Sequence, residues 1–217
     1  MSFALSRPTA GILTSLTAVA ALCAAPAVPA VAAPVLTAAA FGAPNETVHG
    51  IDFWTQPYGN YCGPTTAAMI LSQGDAKAPS VYGLAARIGL RRDVGGTYRT
   101  EMKTMLETGG HRWQVTSSGD PGRLLDTVRR NISGNQAWRS AVAVGFRGRI
   151  TGHVNGRYFT YPQSVDHWIA ITGWDTAGRN VLVHDPVAGR PGWGNVPSSY
   201  WIGVDRIPGL KTWVHRA

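Results

Sequence analysis

The chain has 217 residues, 44% of them hydrophobic, which is enough for one domain with a sizeable core. Twenty Lys+Arg against twelve Asp+Glu give a net charge of +8. The basic residues are nearly all arginine and are scattered, as at Arg91-Arg92, Arg129-Arg130, Arg147 and Arg149. Without a polybasic run or a nucleic-acid motif, no nucleic-acid partner is expected, and the charge reads as a basic surface suited to an anionic cell envelope or an acidic substrate.

Arg7 is the only charged residue before Glu46. A short basic start, an apolar run over residues 11–25 and a small-x-small site at Ala30-Val31-Ala32 read as a secretory signal over residues 1–32. Pro26 and Pro29 break the run short of the roughly 20 residues that a spanning helix needs, so an uncleaved anchor is the weaker reading. Cleavage is expected after Ala32, or further along the alanine-rich stretch to Ala40, leaving no integral membrane segment and a secreted or envelope-associated protein. Of the two cysteines, Cys23 would leave with the signal, and Leu22 before it argues against a lipoprotein site. Cys62 then remains alone, with no internal disulfide partner.

Residues 33–48 are Ala/Pro-rich and read as a loose mature N-terminus, with a domain over residues 49–217. Residues 51–56 alternate apolar and polar side chains, as a short extended lead-in would. The stretch Gln56-Pro57-Tyr58-Gly59-Asn60-Tyr61-Cys62-Gly63-Pro64-Thr65 follows, and a helix is predicted over residues 64–73, with Gly74 as its stop. Proline suits a first helical turn, where its missing N–H has no intrahelical partner. A thiol at that helix mouth lies near unpaired amides and the positive end of the dipole, which favour thiolate.

Further helices are predicted over residues 81–88, over 98–108 with Thr97 as a cap, and over 122–131, where Leu124, Leu125 and Val128 recur at helical spacing. A brief strand is expected at 113–115 and a buried one at 141–146. Residues 147–163 read as a long loop or extended hairpin. Strands at 167–174 and 180–185 flank a turn with Gly178, and residues 196–201 offer a small final helix or turn. Helices first and antiparallel strands later make an α+β domain.

A nucleophilic thiolate wants an imidazole neighbour and a group to orient it. His49, His111, His153 and His215 fall in terminal or glycine-flanked positions, whereas His167 and His184 sit on the predicted hairpin. If Asp175 faces Arg179, then Ile171 faces Val183 and Ile169 faces Asp185. His167 then shares the Ile169 face and is diagonal to Asp185, about 7–8 Å away at the backbone. His184 points to the other face, and a one-residue slip would undo the pairing. No Cys/His spacing matches a zinc site, and neither a metal nor another cofactor is expected.

Gln-x5-Cys-Gly-Pro at a helix start, the later Asp-His-Trp-Ile-Ala-Ile-Thr-Gly and the Val-x-Asp-Pro strand together resemble papain-fold cysteine peptidases, closest to the bacteriocin-processing, double-glycine-leader type and its relatives. The similarity covers residues 50–205, including the helix at 83–89 and Gly95-Gly96-Thr97. It implies a papain-like fold in which a nucleophile helix packs on a C-terminal antiparallel sheet. It also implies Cys62 as nucleophile, His167 as general base and then acid, Asp185 as orienting group and Gln56 as oxyanion donor. The expected activity is hydrolysis of a peptide or amide bond through a thioester, by a monomer. A non-catalytic peptide- or wall-binding module on the same fold, and an acyltransferase using the same residues, are the alternatives. Leader-cleaving members are cytosolic domains of membrane transporters, so an exported chain points to other substrates.

Overall fold

The structure, a computed structural model, describes residues 45–48, 50–73, 77–133, 139–175 and 178–217. The expected signal, residues 33–44, His49 and Gly74 lie outside the described residues. A short strand β1 (Asn45–Thr47) is followed by helices α1 (Cys62–Leu71), α2 (Val81–Arg87) and α3 (Arg99–Leu106), strand β2 (Trp113–Ser117) and helix α4 (Pro121–Ile132). Seven strands complete the chain: β3 (Val142–Gly148), β4 (Thr151–Val154), β5 (Arg157–Thr160), β6 (Val165–Asp175), β7 (Asn180–His184), β8 (Ser199–Gly203) and β9 (Leu210–Arg216). This is the α+β arrangement the sequence implies.

The main sheet is antiparallel, in the order β2-β9-β3-β6-β7-β8, with β1 also paired to β6. Its faces are covered differently. On one, α4 buries Leu124, Leu125, Val128 and Ile132 in a cluster with Val142, Val144, Ile169 and Ile171. On the other, α1 to α3 bring Ala67, Ala68, Met69, Met102, Met105 and Leu106 onto Ala143, Ala170, Trp168 and Val214. Burying a Leu or Met side chain in this way contributes about 1.5–3 kcal/mol. Alanine on both partners keeps α1 close to β6, and the Thr66 hydroxyl donates to the Trp168 carbonyl (3.0 Å), pinning the helix start to the strand.

Several expectations are corrected. Asn45–Thr47 is not loose: it pairs with Gly173–Asp175, extending the sheet beyond the start of β3. Residues 51–56 form no strand. Residues 147–163, by contrast, hold an extended hairpin as the sequence allowed: they finish β3 and then form β4–β5, turning at Asn155-Gly156, both in the left-handed region. Residues 196–201 run into β8 rather than a helix, because Tyr200 and Ile202 alternate inward against Val183 and Val181. The C-terminal strand β9 was not anticipated, yet it lies between β2 and β3. The cap of α3 is Tyr98, whose backbone N–H donates to the Glu101 carboxylate (2.6 Å), and not Thr97.

Thr97 instead wedges against α1. A Cβ built on Gly63 would lie 2.2 Å from Thr97 Oγ1 and 2.4 Å from its Cβ, so only glycine admits this approach. The Trp168 indole holds the loop from the other side, donating to the Thr97 carbonyl (2.9 Å). Gly63→Ala is therefore expected to lower unfolding stability by about 1–3 kcal/mol in chemical denaturation. Adding Thr97→Gly should recover part of the loss; a fully additive double variant would show that the contact does not carry it.

Candidate active site

Cys62 is the first residue of α1, and no side chain caps that helix start. First-turn amides have no intrahelical acceptor, so the helix presents N–H groups and its positive end beside the thiol. Cys62 is a free cysteine, 6% exposed, lining a cleft of about 770 Å³. Gly59, Asn60 and residues 95–100 form one wall. Gly145, Phe146, His167, Trp168 and Thr212 form the other. Asn60 clamps the first wall: its Nδ2 donates to the carbonyls of Arg91 (2.7 Å) and Val94 (2.9 Å), and its Oδ1 accepts from the Asp93 N–H (3.0 Å). Those three bonds hold Asp93 at φ 56°, a conformation unusual for a residue other than glycine.

His167 lies near the start of β6, opposite Phe146. Ala170 faces His184 and Ile171 faces Val183, so at this end the register is the one the sequence implied. A bulge between Ile171 and Gly173 shifts the other end by one residue, so Trp174 faces Val181 and Asp175 does not face Arg179. Asp175 instead accepts from the Gly178 N–H (2.5 Å) and the Asn180 side chain (2.6 Å). The slip falls beyond the site and leaves His167 Nε2 2.9 Å from Asp185 Oδ1.

Both members of this pair are buried, His167 at 4% exposure and Asp185 at 0%. Burial works against a charged ring, but the Asp185 carboxylate and its hydrogen bond, with a further contribution from Cys62, raise His167 to about 9. With Nε2 committed to Asp185, Nδ1 is the nitrogen left for Cys62. Aromatic rings enclose the imidazole: Phe146 edge-on at 5.7 Å, Tyr161 edge-on at 5.9 Å and Trp193 nearly parallel at 6.4 Å between centroids. Asp185 is further bonded by the Val187 N–H (3.2 Å) and by the hydroxyls of Tyr200 (2.8 Å) and Tyr161.

Gln56 is 2% exposed and sits just ahead of Cys62, but its amide is engaged differently from the expectation. Nε2 donates to the carbonyls of Tyr58 (2.8 Å) and Gly59 (3.0 Å), so both amide hydrogens brace the turn before α1, while the buried Oε1 has no partner among the described residues. His184 is half-buried on the other face of β7, and burial lowers its pKa. His153 lies on β4 against Tyr158, and His111 and His215 bond the Arg216 side chain and backbone. Sequence reasoning missed Trp193, Tyr200 and the role of Tyr161. Only the inward alternation of Tyr200 and Ile202 could have pointed to one of them. Among the described residues, no three or more His, Cys, Asp or Glu side chains gather as a metal site.

Residues 47–201 match the Peptidase_C39 like family. No curated protein sequence matches the chain. Among solved structures, it is similar to UfSP from C. elegans, with a TM-score of 0.50 and 17% identity over 81% of this chain. The match spans only 34% of that protein's length. It is also similar to a double glycine motif protease from an AMS/PCAT transporter in complex with the leader peptide, with a TM-score of 0.49 and 14% identity, covering 80% of this chain and 99% of that one. The family match takes in α1 and β6, which carry Cys62 and His167, and Asp185 just after β7, and ends in β8 ahead of β9. The chain belongs to the Peptidase_C39 like family and has a papain-like fold.

Proposed function

We propose that the protein hydrolyses a peptide or amide bond through a thioester on Cys62. The observation that carries this reading is an imidazole raised to about 9 by a buried carboxylate, beside a cysteine at a helix mouth in an open cleft. His167 takes the thiol proton, and the Cys62 thiolate attacks the substrate carbonyl carbon. The carbonyl π-pair moves onto oxygen. His167 then returns the proton to the leaving nitrogen as the C–N bond breaks, leaving the thioester. Water, deprotonated by the same ring, attacks the thioester and frees the acid and the thiol. Asp185 keeps the ring oriented in both halves and stabilises it each time it carries the proton.

The Cys62 N–H and the Gln56 amide serve the developing oxyanion. Gln56 does so by exchanging its longer bond, to the Gly59 carbonyl, for the charged oxygen, since catalytic hydrogen bonds often form only once substrate is bound. The same reading makes residues 1–32 a removable export signal and residues 49–217 the enzymatic domain of a secreted or envelope-associated monomer. Among the described residues, no helix is long and apolar enough to cross a membrane. The N-terminal mass of the exported protein tests the signal.

With a peptide library as substrate, Cys62→Ala and His167→Ala are expected to abolish cleavage. Gln56→Ala should lower kcat by about 10²–10³-fold with a smaller change in KM. Intact-mass spectrometry during turnover should show an acyl adduct on Cys62. Peptides that bind without being cut, equally well in His167→Ala, would instead identify a binding module.

The His167–Asp185 pair also links stability to pH. Because the folded value, about 9, lies above the ordinary imidazole value near 6.5, the contribution is complete below pH 6.5 and is lost as pH rises through about 9. The difference in denaturation midpoint between wild type and Asp185→Asn should shrink across that window. A constant difference would show that the ring carries no charge there.

A further inference from the structure

The carboxylate of Asp185 has two oxygens, each with two lone-pair sites, and a buried anion is costly unless they are filled. Oδ1 takes His167 and the Val187 N–H. Oδ2 takes two phenols, Tyr161 and Tyr200, whose oxygens lie 3.5 Å apart. The phenols arrive from distant parts of the chain. Tyr161 ends the β4–β5 hairpin, where its N–H donates to the Ile150 carbonyl (2.9 Å), and its ring meets Trp193 edge-on at 5.3 Å. Tyr200 comes from β8 and packs on Phe159 at 4.7 Å.

Neither phenol is placed to give up its proton. Burial, and then the Asp185 charge, pushes both well above the ordinary tyrosine value, so they remain O–H donors. Among the described residues, the titratable groups against Asp185 are His167 from β6, Tyr161 from the end of β5 and Tyr200 from β8. Cys62 of α1 lies beyond the ring.

We propose that Tyr161 and Tyr200 are positioning residues for the reaction, holding the carboxylate with Oδ1 on His167 and keeping the negative charge on Asp185 and the proton on the imidazole. This rests on the Cys62–His167–Asp185 reading above. Without a donor on Oδ2, the buried pair is better satisfied as neutral acid and neutral imidazole, which removes the cation that sustains the Cys62 thiolate. Phenylalanine would fill the same volume, so packing and hydrogen bonding can be separated.

The test is the rate of Cys62 alkylation by iodoacetamide in the full chain, from about pH 5 to about pH 10, which needs no knowledge of the substrate. The pH at which the rate reaches half its maximum is read for wild type and for each variant. Tyr161→Phe and Tyr200→Phe should each raise that half-maximal pH by about one unit, and the double variant should raise it further. Phe159→Leu, which loosens the packing around Tyr200 but leaves both hydroxyls, should not move it. Unshifted curves in folded tyrosine variants, or an equal shift in Phe159→Leu, would overturn the positioning role while leaving the nucleophile reading intact. Wild-type labelling no faster than that of the denatured chain would overturn both. The two single variants are read separately, so a folding defect in one leaves the other to decide.

Discussion

Asp185 is a carboxyl group with no exposed surface, and much of the fold serves to satisfy it. Its four hydrogen bonds come from β6, from the turn after β7, from the end of β5 and from β8. An unpaired charge at this depth would cost several kcal/mol, so these elements must assemble together or the carboxylate must pick up a proton. The hydrogen bonds that satisfy the carboxyl group also hold His167 level with it. The β4–β5 hairpin, otherwise an outlying two-stranded sheet, is part of this support because it ends in Tyr161.

Delivering the thiol is a problem of close approach. α1 can sit against β6 because Ala67 and Ala68 meet Ala143 and Ala170, and its first turn can meet the 95–97 loop because Gly63 has no side chain. Thr97 fills the space left by that glycine, while Trp168 holds the loop through its indole and the helix through its carbonyl. One residue of β6 thus fixes both the start of α1 and a wall of the cleft, next in sequence to His167.

The bulge between Ile171 and Gly173 separates the hairpin into two regimes. Toward the site, the pairing is set by Ile171 against Val183, two buried residues that a slip would expose. Toward the tip, β1 joins β6 and Asp175 bonds Gly178 and Asn180, so the local turn governs instead. A register inferred from the turn inward was therefore wrong at the turn and right at the site, because the buried face decides where side chains must point.

Residue order alone determined a great deal: a thiol before Gly-Pro at a helix start, a glutamine six residues upstream, His167 on an apolar strand and Asp185 before the proline that ends the next one. These are local patterns, and local backbone preferences enforce them. What only the tertiary structure decided is everything that depends on long-range pairing. β9 enters between β2 and β3 from the end of the chain, β8 takes the place of an expected helix, and Tyr161 and Tyr200 converge on Asp185 across 39 residues of sequence. The engagement of the Gln56 amide by the Tyr58 and Gly59 carbonyls belongs to the same class. Donor and acceptor types can be read from a sequence, but which of them meet is set by how the folded chain fills its interior.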